Sequence, residues 1–217
     1  MLNFKSFFSS QEGKIFLVGI VLLFVYIISI IFTYIYSVDD ANPLVVMSVT
    51  NFFFGLAAGI SYGYTTELND GVILLMNMLV EFIMVLIIYP LFVLSWNKSV
   101  DIELLKNFFM NVKMQREKYK DYFEKYGKYG LFLFVWFPFW MTGPVIGALI
   151  GFLIGIKHYT TILIVLSGTS LAIVIWTYFL KEVMLVLNEV SLHAPYIVLG
   201  LIIIVAVVIK FMKSKKG

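Results

Sequence analysis

The chain has 217 residues, 61% of them hydrophobic and 18% aromatic, with a mean hydropathy of +0.97. Soluble domains carry roughly half apolar residues, so this composition excludes an ordinary water-soluble domain and implies an integral membrane protein. The absence of cysteine excludes a disulfide framework, thiol catalysis and a thiolate metal site, and the net charge of +3 is informative only through where it sits.

In chain order, the run 15–36 is the first without a charge. It follows Lys5 and Lys14 as a signal peptide does, but it exceeds the ~7–15 residues of a signal h-region and lacks a small-x-small exit, so it reads as a retained spanning helix. The run 44–66 is also uncharged and repeats glycine at every fourth position, at Gly55, Gly59 and Gly63. The run 72–96 has one charge, Glu81, and is long enough to span, since a crossing needs about 20 residues.

The segment 99–126 is different in kind. Ser99 can cap a helix with Asp101 and Glu103 in its first turn, and Leu105, Phe108, Phe109, Val112, Tyr119, Tyr122, Phe123 and Tyr126 follow helical spacing. Lys113, Arg116, Lys118, Lys120 and Lys125 occupy the other faces. This pattern predicts an amphipathic interfacial helix drawn to anionic headgroups, broken by Gly127 and Gly130. The run 129–156 contains "PFWMTGP" and a second glycine series at Gly143, Gly147, Gly151 and Gly155. Pro138 ends a helix near Trp136 or Phe137, Gly143 suits a cap, and Pro144 suits the first turn of a new helix to about Ile156. Spanning helices over 159–180 and 194–210 complete the chain.

Charge decides the topology. If all six apolar runs crossed with the N-terminus inside, the segment 97–128, with eight of the sixteen Lys and Arg, would lie outside, against the positive-inside rule. If 44–66 and 129–156 instead enter and return from opposite faces, the N-terminus, 97–128, Lys157 and the lysine-rich tail all lie inside. Asp39, Asp40, Glu67, Asp70, Glu182 and Glu189 then lie outside or at its edge. The expected fold is an all-α integral membrane protein with about four spanning helices, two oppositely oriented re-entrant hairpins forming an inverted repeat, and the cytoplasmic amphipathic helix. It forms one membrane domain over 1–217. Small-xxx-small faces allow the close backbone approach such hairpins need, and inverted repeats place their site near the midplane.

Glu81 lies deep in its run, with Asn77 one turn before it and Tyr89 two turns after it on the same face. A carboxyl at that depth is costly and turns inward, so proton carriage or substrate binding is expected there. The amide groups at the start of the helix opened by Gly143 and Pro144 can cradle an anionic or polar group, with Thr142 adding a hydroxyl and Trp136 and Trp140 flat walls. Glu67 and Asp70 sit at the outer end of the first hairpin, and Lys157 at the cytoplasmic end of the second can meet a phosphate. His158 has no spaced partner and His193 is distant in sequence, so no metal site is expected. No catalytic motif is present: no His-Glu-x-x-His, nucleophile elbow or phosphate-binding loop. Neither enzyme activity nor a cofactor is expected, and the basic residues are read as topology anchors rather than as a nucleic-acid surface.

The stretch "EKYGKYGLFLFVWFPFWMTGPVIGALIGFLIGIKHYTTILIVLSGTSLA", 124–172, resembles the small multidrug export protein family, in which Lys-Tyr-Gly precedes an apolar arm, Pro-x-x-x-Thr-Gly and a glycine ladder. "FGLAAGISYGY" and the helix around Asn77 resemble that family's first half. The family is similar in arrangement to the DedA, or VTT, superfamily, which implies an inner-membrane protein with two opposed re-entrant hairpins. DedA proteins place arginines beside the hairpin proline, whereas Trp136, Phe137, Trp140 and Met141 stand here and Arg116 is the sole arginine. Related export proteins open the first hairpin with Glu-Leu-Arg, where this chain has Thr50, Asn51 and Phe52.

The resulting expectation is a DedA-like transporter, exporting a small molecule or translocating a lipid, with proton coupling as an option. Asn51, Thr142, Gly143 and Pro144 would line a site between the hairpin tips, and Glu81 would titrate. Membrane lipids are expected partners, and a homo-oligomer is an admissible assembly. The rival reading is a non-transporting membrane factor for envelope assembly or partner recruitment through 97–128.

Overall fold

The computed structural model describes residues 8–66, 68–98, 120–136 and 143–190, with positions 200 and 204. These residues form seven helices: α1 (Gln11–Tyr36), α2 (Val38–Phe54), α3 (Leu56–Thr65), α4 (Asp70–Lys98), α5 (Lys120–Trp136), α6 (Gly143–Leu153) and α7 (His158–Val190). No strand occurs among the described residues. Three helices are long and apolar enough to cross a membrane, α1, α4 over Asp70–Trp96 and α7 over His158–Val186. On α1 the apolar residues Val21, Phe24, Ile28, Phe32 and Ile35 are exposed, as side chains facing lipid would be.

The remaining apolar helices are short. α3 has 10 residues and α6 has 11, which at 1.5 Å per residue is about 15 Å, half of a hydrocarbon core about 30 Å thick. Each folds back along its predecessor. A Cβ added at Gly59 would meet Asn51, and one at Gly63 would meet Met47, so as α3 advances its contacts on α2 retreat. In the same way Gly147 faces Val135 and Gly151 faces Leu131, which makes α5 and α6 a second antiparallel pair.

The glycines of each series divide into two roles. Gly55 joins α2 to α3 at φ 92° and ψ 172°, a conformation essentially confined to glycine. Gly155 ends α6 at φ 85°, where its N–H donates to the Phe152 carbonyl and the Ile156 N–H to that of Gly151, a Schellman closure. Gly59, Gly63, Gly147 and Gly151 instead provide close approach. α3 lies between α2 and α4, with Gly59 also against Asn77 and Gly63 against Ile73; α6 lies on α5, with Gly151 also against Thr161 of α7. Added methyls there would fall at 2.7 Å from Asn77 Oδ1, 2.8 Å from Ile73 Cγ1 and 2.5 Å from Thr161 Cγ2.

The chain divides into two compact units, each built around one of these pairs. The first holds α2 and α3 with residues 25–36, 70–81 and 170–190. Its core joins Leu44, Met47, Ile60, Ile73, Met76 and Leu180. The second holds α5 and α6 with residues 8–24, 82–98 and 158–169.

Several boundaries differ from the sequence reading. α2 begins at Val38 rather than at 44, because the Ser37 hydroxyl caps it by accepting from the Asp40 N–H at 3.2 Å and Asp39 and Asp40 complement the helix dipole. Helix α5 runs through Gly127 and Gly130 instead of breaking there. A mid-helix glycine costs only about 1 kcal/mol, and the Leu131–Val135 face of α5 is held against α6. α7 continues past 180 to Val190, because Lys181 finds Asp70 as its partner and Glu182 is carried within the helix. The segment 99–119, with most of the amphipathic helix, and nearly all of 194–210 lie outside the described residues.

Candidate functional site

In the first unit the packing of α2, α3 and α4 brings Asn51 onto Asn77. The Asn51 Nδ2 amide donates to Asn77 Oδ1 at 2.8 Å, and Asn77 Nδ2 donates to the Ile73 carbonyl at 2.7 Å, with Met47 Sδ at 3.6 Å. Both asparagines are 1% exposed. Gly59 makes the pairing possible, since a methyl at that position would lie 2.7 Å from both Asn51 Cβ and Asn77 Oδ1.

Glu81 follows Asn77 by one helical turn and therefore continues the same face of α4. It is 3% exposed, and its Oε2 has no hydrogen-bond partner among the described residues. Asn51 Oδ1 is likewise buried and unpartnered there. Buried polar atoms are normally satisfied, so two acceptor oxygens without donors mark a place suited to a proton, a cation or a ligand that brings its own hydrogen-bond donors.

Of the other predicted site residues, Asp70 opens α4 and pairs with Lys181 of α7, also within the first unit. Gly143 and Pro144 open α6 in the second unit, with Gly143 buried and no described residue within 4 Å of where its Cβ would be. Lys157 is exposed in the link between α6 and α7. Glu67, Trp140 and Thr142 lie outside the described residues. The structure thus brings Asn51, Asn77 and Glu81 into one unit and places Gly143, Pro144 and Lys157 in the other.

Tyr89 follows Glu81 by two turns of α4 and has a partner of its own. It belongs to the second unit, where its hydroxyl lies 2.7 Å from His158 Nδ1. His158 Nε2 lies 3.2 Å from Glu12 Oε1. His158 thus has two partners, which sequence reasoning missed because positions 12, 89 and 158 show no common spacing. The one available signal was a histidine directly before an apolar run. No cluster of three metal-ligating side chains occurs among the described residues.

The family described as "Putative small multi-drug export protein" matches this chain over residues 56–175, more than half of its length. No curated protein and no solved structure matches the chain. The matched region begins at the first residue of α3 and takes in Gly59, Asn77, Glu81, α5, α6 and the first half of α7.

Proposed function

The chain belongs to the small multi-drug export protein family, and from that premise we propose that it is a membrane transporter whose substrate and proton site is centred on Asn51, Asn77 and Glu81. The observation that carries this reading is the buried Glu81 carboxyl, with an oxygen lacking a hydrogen-bond partner among the described residues, one turn from a buried asparagine pair. An intramembrane carboxyl costs several kcal/mol unless it is neutralised or paired, so its presence favours a working group over a structural one.

The two helix pairs act as hairpins that enter the membrane from opposite faces and return, as in a DedA-like inverted repeat. Their short arms support this, because a helix of 10 or 11 residues reaches about half of the way across. The termini and the basic segment 97–128 lie on the cytoplasmic side of an inner membrane, as the lysine distribution favours. The substrate is an apolar molecule, neutral or cationic. One arginine in the chain, Arg116, and none beside the second hairpin argues against a phosphate-bearing lipid.

Two measurements test this. Single cysteines at Asn69, Lys157, Asn188 and Lys215 are labelled in intact cells with an impermeant thiol reagent; labelling at 69 and 188 but not at 157 and 215 is expected, and labelling at 157 would make 129–156 a crossing segment. In proteoliposomes carrying a pH gradient, uptake of a lipophilic cation and of a fluorescent phospholipid separates drug from lipid, and Glu81→Gln is expected to abolish the response to the gradient. Intact pH-dependent transport in that variant would remove the proton role.

A further inference from the structure

The second unit holds a buried polar cluster that the function proposed above does not use. Glu12 from α1, Tyr89 from α4 and His158 at the start of α7 meet through two contacts on the two imidazole nitrogens, Nε2 to Glu12 at 3.2 Å and Nδ1 to Tyr89 at 2.7 Å. Lys157, the neighbouring charge in the chain, is exposed. Tyr89 is fully buried, whereas the His158 and Glu12 side chains are 25% and 21% exposed, so the cluster leads from a partly open edge to a closed interior. Phe152 stacks on the imidazole at 5.9 Å and meets Tyr89, Phe92 and Trp96 in T-shaped contacts.

Chemistry assigns the hydrogens. A carboxylate only accepts, so the contact with Glu12 places a proton on Nε2. In the neutral imidazole Nδ1 then carries a lone pair, to which the Tyr89 hydroxyl donates. The Thr161 hydroxyl, one turn into α7, donates to the Ile156 carbonyl at 3.4 Å and so keeps its lone pairs free to accept.

We propose that Glu12, His158 and Tyr89 form a proton-binding site, distinct from the Glu81 cluster, in which His158 Nδ1 takes up one proton while the heavy atoms stay in place. The incoming proton occupies the Nδ1 lone pair, and Nε2–H remains on Glu12. The Tyr89 O–H turns from His158 to Thr161 and its oxygen becomes the acceptor of the new Nδ1–H. Both states are fully hydrogen-bonded, and uptake neutralises a site that otherwise holds one negative charge. Histidine is the side chain whose ordinary titration lies nearest neutrality. The change reaches the second hairpin directly, because Thr161 is the residue packed against Gly151 of α6.

The site stands on its own geometry; only its use in transport rests on the function proposed above, so the test avoids transport altogether. Full-length protein carrying His193→Gln retains His158 as its single histidine and is placed in lipid nanodiscs with 15N-labelled imidazole. As the pH is lowered, His158 is expected to take up its proton on Nδ1, its neutral form holding the proton on Nε2. Tyr89→Phe is expected to move the Nδ1 resonance, and Thr161→Val to move that of the protonated form because the turned hydroxyl loses its acceptor. A neutral form protonated on Nδ1, or an Nδ1 that takes up no proton, would overturn the proposal without any substitution in the cluster. So would an Nδ1 resonance indifferent to Tyr89→Phe.

Discussion

Asn51 on α2 and Asn77 on α4 are joined by a 2.8 Å side-chain hydrogen bond beneath Gly59, at a level of the first unit where both amides are almost completely buried. The bond ties the long arm of one helix pair to the helix that follows it, and α3 is held in the angle between them. Replacing either residue by leucine leaves the other amide without its partner, and the expected loss is about 1–2 kcal/mol for each single variant. The double variant Asn51→Leu with Asn77→Leu is expected to lose less than the sum. A double-mutant cycle on unfolding in bicelles measures the coupling, expected at about 0.6–1.7 kcal/mol from comparable membrane helices.

Close approach and backbone conformation can be tested separately at the glycines. Gly59→Ala and Gly151→Ala force a methyl into space already filled and are expected to cost about 1–3 kcal/mol each. Gly55→Ala is expected to cost a similar 1–3 kcal/mol, roughly, through its backbone conformation rather than through a clash. Gly143→Ala should be near neutral, since no described residue lies within 4 Å of the added carbon. Thermal melting of the purified variants separates the three classes.

Glu81 is expected to trade stability for function. Its unpartnered, buried oxygen carries a desolvation penalty of about 1–3 kcal/mol. Glu81→Met, of similar volume and without polar atoms, should therefore melt at a higher temperature than the parent while losing transport. A lower melting temperature would mean that the carboxyl is structurally paired.

Asp70 and Lys181 form an ion pair that is about one-third exposed on each side. Asp70→Lys alone is expected to lower the melting temperature, and Asp70→Lys combined with Lys181→Asp to restore most of it. The difference should shrink as salt is raised, because partly exposed charges are screened. Melting curves at low and high ionic strength check this.

Much of the helical architecture was legible before folding. Runs of spanning length with no charge, or with Glu81 alone, mark α1, α4 and α7, and Gly143 with Pro144 marks the start of α6. Those features depend on neighbours along the chain, namely hydropathy over a window and the backbone limits of proline and glycine. Where the reading failed, at Gly127, Gly130 and Lys181, local propensity was outweighed by packing on α6 or by a charge partner distant in sequence.

The same division applies to the candidate sites. Glu81 stands out in sequence because one carboxyl interrupts a long apolar run, and Asn77 follows from it by helical spacing. That Asn51 bonds to Asn77, and that Tyr89 meets His158, which in turn meets Glu12, required the tertiary structure. Hydropathy and helical period are sums over consecutive residues and can be read from one strand of text. A hydrogen bond between positions 51 and 77, or among 12, 89 and 158, depends on which helix faces meet, and glycine contacts a few tenths of an ångström deep decide that only once the chain has packed.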